Sequence, residues 1–207
     1  MGTMNSLTGE KGRYRVMANG LAALVLGIGL AGCSSTATND TFDLTGVASA
    51  NGPAKRARQL LVPEPTALKA LDSDSVLVRV SGTEIQYLSH AQWSDRLPRM
   101  VQSKLVQAFE NSGKLGGVGK PGQGLAIDDQ LVSDIRAFEI STGSSRLAIV
   151  EISVKILNDR NGTVKAQKVF RATQPLSGSE NRAFISALDR AFANVTTQIV
   201  DWTLATL

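Results

Sequence analysis

The stretch "RLAIVEISVKIL" constrains the fold most tightly. Val150, Ile152, Val154 and Ile156 alternate with Glu151, Ser153 and Lys155, and alternation with a period of two marks a strand with one buried face. "NDRNG" supplies a turn, and "TVKAQKVFRA" returns as the hairpin partner. A sheet with one apolar face must bury it under a second layer. The C-terminal segment offers that layer: Phe184, Leu188, Phe192, Val195, Ile199 and Trp202 recur at helical spacing, with Ser177 and Glu180 spaced as a capping box ahead of them.

The preceding segments continue the pattern. "LAIDDQLVSDIRAFEI" reads as a further strand broken by a bend, and "TFDLT", "RQLLVPEP", "SVLVRV" and "TEIQYLS" as shorter strands, with a turn at Ser81 and Gly82 between the last two. From Ser94 the period becomes helical. Leu97, Met100, Val101, Leu105, Ala108 and Phe109 form one face, Arg96, Arg99 and Lys104 lie elsewhere, and Gly113 is a stop signal. Strands, a helix, antiparallel strands and a second helix predict an α+β single domain, a mainly antiparallel sheet with two helices packed on one face. "GVASANGPAKRA" reads as a flexible loop whose Lys55, Arg56 and Arg58 are solvated.

The only cysteine, Cys33, closes the apolar run "LGIGLAGC". Lys11, Arg13 and Arg15 precede residues 16–31, which are largely apolar, and Leu30, Ala31 and Gly32 end them with small side chains before the thiol. A positive head, an apolar middle and small residues before a cut describe a secretory signal peptide. The run is shorter than the roughly 20 apolar residues a membrane span needs, and Asn19 interrupts it. "LAGC" is similar to the lipobox of bacterial lipoproteins, in which the thiol is acylated. The expected organisation is a leader over 1–32, a lipidated tether over 33–40 and a periplasmic domain over 41–207. "MGTMNS" also spells a myristoylation pattern, which a basic segment leading into a lipobox leaves little room for. Palmitoyl-type chains on Cys33 imply attachment to a membrane, since each buried methylene adds about 0.8 kcal/mol. Ser34, in place of the aspartate that favours inner-membrane retention in enterobacterial lipoproteins, leans towards the outer membrane.

Charge offers no nucleic-acid partner. Of the chain's +4, removal of Lys11, Arg13, Arg15 and Glu10 with the leader takes away two, too little surplus for a phosphate backbone. Motifs for chemistry are equally thin. "GVGKPG" spells G-x-G-x-x-G, but a phosphate-binding turn must leave a strand and open a helix, whereas here a helix precedes it and a strand is expected next. His90 is the only histidine and reads as a surface residue beside Trp93. Asp128 and Asp129 are neighbours on a strand, point to opposite faces and read as solvated strand-end charges. No cofactor, metal site or catalytic residue is expected, and the chain is read as no enzyme.

One long segment carries a family resemblance. In "DSVLVRVSGTEIQYLSHAQWSDRLPRMVQSKLVQAFENSGKLGGV" an apolar strand, a second strand ending near Tyr87, and Trp93 opening a helix that ends in "FENSG" resemble the auxiliary lipoproteins of ABC-type transporters. The lipoprotein of the paraquat-inducible operon belongs to that family, and the resemblance runs from about Phe42 to the C-terminus. Tyr87, Trp93 and Leu97 fall on the family's "Y" and "W-x-x-x-L", while Ser94, Asp95 and Arg96 stand where Ala-Glu-Pro is frequent. The resemblance implies a non-catalytic auxiliary subunit of a transporter that moves lipids or other apolar molecules across the envelope. Its partner would be a protein of the mammalian-cell-entry type, and self-association into a homo-oligomeric ring is one arrangement it allows. A structural outer-membrane assembly lipoprotein without a transporter, and an envelope hydrolase, remain as alternatives. Tyr87 and Trp93 flank the polar connection "LSHAQ" and are the candidate partner-binding residues, because aromatics with a polar edge suit surfaces that are wet only part of the time. They could instead cover the open end of the core.

Overall fold

One strand organises the sheet. The computed structural model describes residues 1–2, 39–45, 50–143 and 146–207, and among these the chain forms nine strands and two helices. Cys33, residues 3–32 of the leader and residues 34–38 of the tether lie outside the described residues. In chain order the elements are β1 (Asp40–Phe42), β2 (Lys55–Leu61), β3 (Thr66–Ala67), β4 (Ser75–Arg79), β5 (Ile85–Trp93), α1 (Leu97–Ser112), β6 (Leu115–Gly119), β7 (Asp129–Ser141), β8 (Leu147–Asn158), β9 (Val164–Pro175) and α2 (Asn181–Thr206).

Along one edge of β7 runs β8, antiparallel, and β9 follows as the hairpin partner of β8. Along its other edge β2, β3 and β4 succeed one another, all parallel to β7. β6 adds to β2, while β5 adds to β4 and β1 to β5. The sheet is therefore mixed, with antiparallel hairpins at its centre and parallel pieces where the N-terminal half comes back alongside. The bend expected in "LAIDDQLVSDIRAFEI" is a bulge between Ile135 and Ala137, which keeps Leu131, Ile135, Phe138 and Ile140 on the buried face.

The core lies between that face and the helices. Ala148, Val150, Ile152, Val154 and Ile156 of β8 meet Phe184, Leu188, Phe192, Val195 and Ile199 of α2, and all are buried. Trp202 is half-buried and sets its ring edge-on to Phe170 of β9 at 5.5 Å. The apolar stripe of α1 is buried as its spacing predicts, and Gly113 closes the helix at φ 61, a left-handed position that glycine adopts without a Cβ penalty.

Three local expectations change. Lys55, Arg56 and Arg58 lie in β2 rather than a loop, because β6, a strand not anticipated in the glycine-rich "LGGVG", pairs with that segment. Ser177 and Glu180 form no capping box. Glu180 is itself the N-cap residue and makes no side-chain cap bond; the chain before it is held out by Leu176 N–H donating to the Arg146 carbonyl and by Arg146 donating to the Gly178 carbonyl. Residues 51 and 52 of the expected loop are fixed: the Asn51 and Gly52 N–H groups donate to Asp201 Oδ1 of α2 at 2.6 and 3.0 Å.

That strap leaves no room at Gly52. A Cβ there would lie 2.7 Å from the Leu204 Cβ and 3.1 Å from the Asp201 carbonyl oxygen. Gly52→Ala is expected to lift the strap off α2 and to cost about 1–3 kcal/mol, as overpacking generally does. A urea titration that moved its midpoint by less than the experimental error would refute the close approach.

Candidate docking site

β5 carries the site because its two edges are unequally covered. β4 pairs with one edge through Leu77 with Tyr87, Val78 with Gln86 and Arg79 with Ile85. On the other edge β1 pairs only with Ala91, Gln92 and Trp93. Among the described strands none pairs with residues 85–89 on that side. Ile85 and Tyr87 are 40% and 50% exposed.

Beside the exposed pair an ion pair crosses from β4 to β7. Arg79 donates through Nε and Nη2 to the two Glu139 oxygens at 2.7 and 2.8 Å, tying β4 to β7. These bonds hold the guanidinium above its ordinary pKa, against the opposing effect of burial. Leu77, whose partners are Tyr87 and Glu139, is buried between them.

The end of the free edge is shaped by His90. The register slips between Leu77–Tyr87 and Ser75–Gln92, and His90 sits in the extra stretch at φ 57, a left-handed position several-fold enriched in Asn, Asp and His among non-glycine residues. Its side chain is exposed and makes no hydrogen bond among the described residues. Asn181, opening α2, donates to the Ser89 carbonyl at 2.9 Å. Next to it Asp40, Glu180 and Arg182 line an open depression.

Residues 42–200 match the profile of a family described as the ABC-type transport auxiliary lipoprotein component. The chain belongs to that family. A crystal structure of a protein from Xanthomonas campestris, assigned to the domain family DUF330, is similar to it: 31% identical, with a TM-score of 0.72 over 81% of this chain and 96% of that one. The crystal structure of another uncharacterized protein shares the fold at 15% identity and a TM-score of 0.62, covering 80% of this chain and 99% of its own. An uncharacterized protein of Bradyrhizobium diazoefficiens is 29% identical over 176 residues, 84% of this chain; the match spans 47% of that relative's length.

In this auxiliary-lipoprotein domain the two candidate aromatics part company. Tyr87 is on the surface. Trp93 is 2% exposed, its ring edge-on to Phe138 at 5.7 Å, and Phe138 in turn meets Phe192 of α2 at 5.7 Å. Trp93 thus has no face to offer a partner: the bulge at His90 shifts the alternation of β5, so that the ring points into the core. Asp128 precedes β7 and only Asp129 is in the strand, and Asp129 is not solvated. It is 0% exposed, with Arg58 of β2 on Oδ2 and Lys165 Nζ of β9 at 2.6 Å from Oδ1, close but off the line of a hydrogen bond. Asp128 Oδ2 accepts the Gln59 N–H at 3.0 Å.

These carboxylates knit three strands together, a role in packing. Spacing alone offered no signal that Arg58 and Lys165, 107 positions apart in the numbering, would meet one aspartate. Groups of His, Cys, Asp and Glu able to hold a metal are absent among the described residues, and none of the described helices is long and apolar enough to cross a membrane.

Proposed function

We propose that this protein is a membrane-anchored, non-catalytic auxiliary subunit of an ABC-type transporter of the mammalian-cell-entry type, serving the movement of lipids or other apolar molecules across the envelope. The observation that carries the reading is the family match over residues 42–200. The lipobox ending at Cys33 adds the anchor. In this reading residues 1–32 are removed, acyl chains on Cys33 hold the protein at the periplasmic face, and a tether over 33–40 leads into the folded domain. The outer membrane is favoured over the inner by Ser34. Description of the family as a transport component supports a non-catalytic role. Tyr87 is the contact for the entry-type protein, and copies of the chain assemble into a ring.

The anchor has a direct test. Cys33→Ala should accumulate as an unprocessed or mislocalised precursor, and mass spectrometry of the native N-terminal peptide should find acyl mass on Cys33. Mature protein with an unmodified Cys33 would end the anchoring claim. Co-purification with the product of an adjacent entry-type gene tests the transporter. If neither ATPase, permease nor entry-type genes adjoin this one and no such protein co-purifies, the structural assembly reading takes its place.

A further inference from the structure

The edge of β5 that no described strand covers over residues 85–89 differs from the other edges of the sheet. β9 carries Lys165, Lys168 and Arg171 and ends at Pro175, and the five-residue β6 is bracketed by Lys114, Lys120 and Pro121. Lysine and proline on an edge discourage a further strand from pairing. From Ile85 to Trp93 there is no Lys, Arg, Asp, Glu or Pro. The phase of the hydrogen bonds also favours pairing. Val80 N–H donates to the Glu84 carbonyl at 3.0 Å and Val78 pairs with Gln86, so the peptide groups of Glu84 and Gln86 face β4 and those of Ile85, Tyr87 and Ser89 face outwards. The bond from Asn181 to the Ser89 carbonyl comes from that outer side.

Charge describes what would fit. Glu84 precedes the free stretch, and Asp40 and Glu180 lie by its far end; all three are exposed and none belongs to an ion pair among the described residues. Arg182 is the one opposing charge in that depression.

We propose that the edge of β5 at residues 85–89 accepts an extended strand of a partner protein, uncharged and apolar at alternate positions along the edge and basic beyond both ends. Main-chain bonds to the outward groups of Ile85 and Tyr87 carry the affinity, and the exposed Ile85 and Tyr87 side chains select the apolar positions. Basic residues beyond the strand meet Glu84 at one end and Asp40 with Glu180 at the other. The inference rests on the docking reading above and gives it a mode and a partner chemistry.

The test uses the full-length protein in detergent micelles and the synthetic peptide Lys-Thr-Val-Thr-Val-Thr-Lys, with a Glu-flanked version as control. The Lys-flanked peptide should slow amide exchange at Ile85 and Tyr87, and the Glu-flanked one should bind about tenfold or more weakly. Tyr87→Pro removes an outward N–H at a position where an edge strand tolerates proline, so it should abolish binding while keeping the melting temperature near wild type. Tyr87→Ala keeps the N–H and should retain part of the binding. Equal binding by the Pro and Ala variants, equal binding of the two peptides, or no protection at Ile85 and Tyr87 would each overturn strand addition. Co-purification separates the two readings. If the peptide protects the edge but the entry-type protein still co-purifies with Tyr87→Pro, strand addition stands and the entry-type protein is not its partner. If that protein is lost from Tyr87→Pro without any peptide protection, strand addition fails and docking through Tyr87 stands.

Discussion

Trp93→Ala should lower the stability of the folded domain by about 3–5 kcal/mol, the usual cost of truncating a buried tryptophan to alanine. The indole is enclosed on its strand and forms the first step of an aromatic chain through Phe138 to Phe192, so its removal leaves a cavity where β5, β7 and α2 meet. For a domain of this size about 2–4 °C of melting temperature accompanies each kcal/mol, which makes the expected fall roughly 6–20 °C. Binding per folded molecule should stay at the wild-type level. A variant that melts normally but loses its partner would reverse the assignment and return Trp93 to the surface site.

Replacing Asp129 by asparagine should cost about 2–3 kcal/mol. Breaking a buried ion pair by removing one partner commonly costs more, but the Arg58 and Lys165 side chains are each 30% exposed and can turn part of their charge to water. Asp129 joins the starts of β7 and β9 to the middle of β2, so the loss is shared among three strands. The measurement is the urea midpoint at neutral pH, with Arg58→Gln combined with Asp129→Asn in a double-mutant cycle. Strict additivity of the two substitutions would show that the contact contributes nothing to stability. His90→Ala is expected to behave differently, because that side chain is exposed and makes no hydrogen bond among the described residues.

The α+β architecture was legible because two periodicities lie on the surface of the text. Alternation at Val150, Ile152, Val154 and Ile156, and helical spacing from Phe184 to Ile199, each describe one apolar face, and the burial of both sets follows from local geometry. Gly113 was legible for a similar reason, since a helix end and a left-handed residue are neighbours in sequence. The family's strand, aromatic and helix pattern could be read in the same way, and residues 42–200 carry it.

What tertiary structure alone decided depends on pairing between distant segments. β6 has two glycines adjoining its Leu115 and little apolar alternation, yet it becomes a strand because β2 offers it hydrogen-bond partners. Asp129 looks like any strand-end carboxylate until Arg58 and Lys165 close over it. Tyr87 and Trp93 are six positions apart with similar neighbourhoods, and a shift of one residue in a strand exchanges inside for outside. Around His90 β5 gains three residues on β4, an odd number with the same effect, sending Trp93 into the core and leaving Tyr87 on an edge that no other described strand covers. Sequence by itself determined which segments have a face to bury; the register between strands, a long-range property, determined which aromatic is buried and which stays exposed.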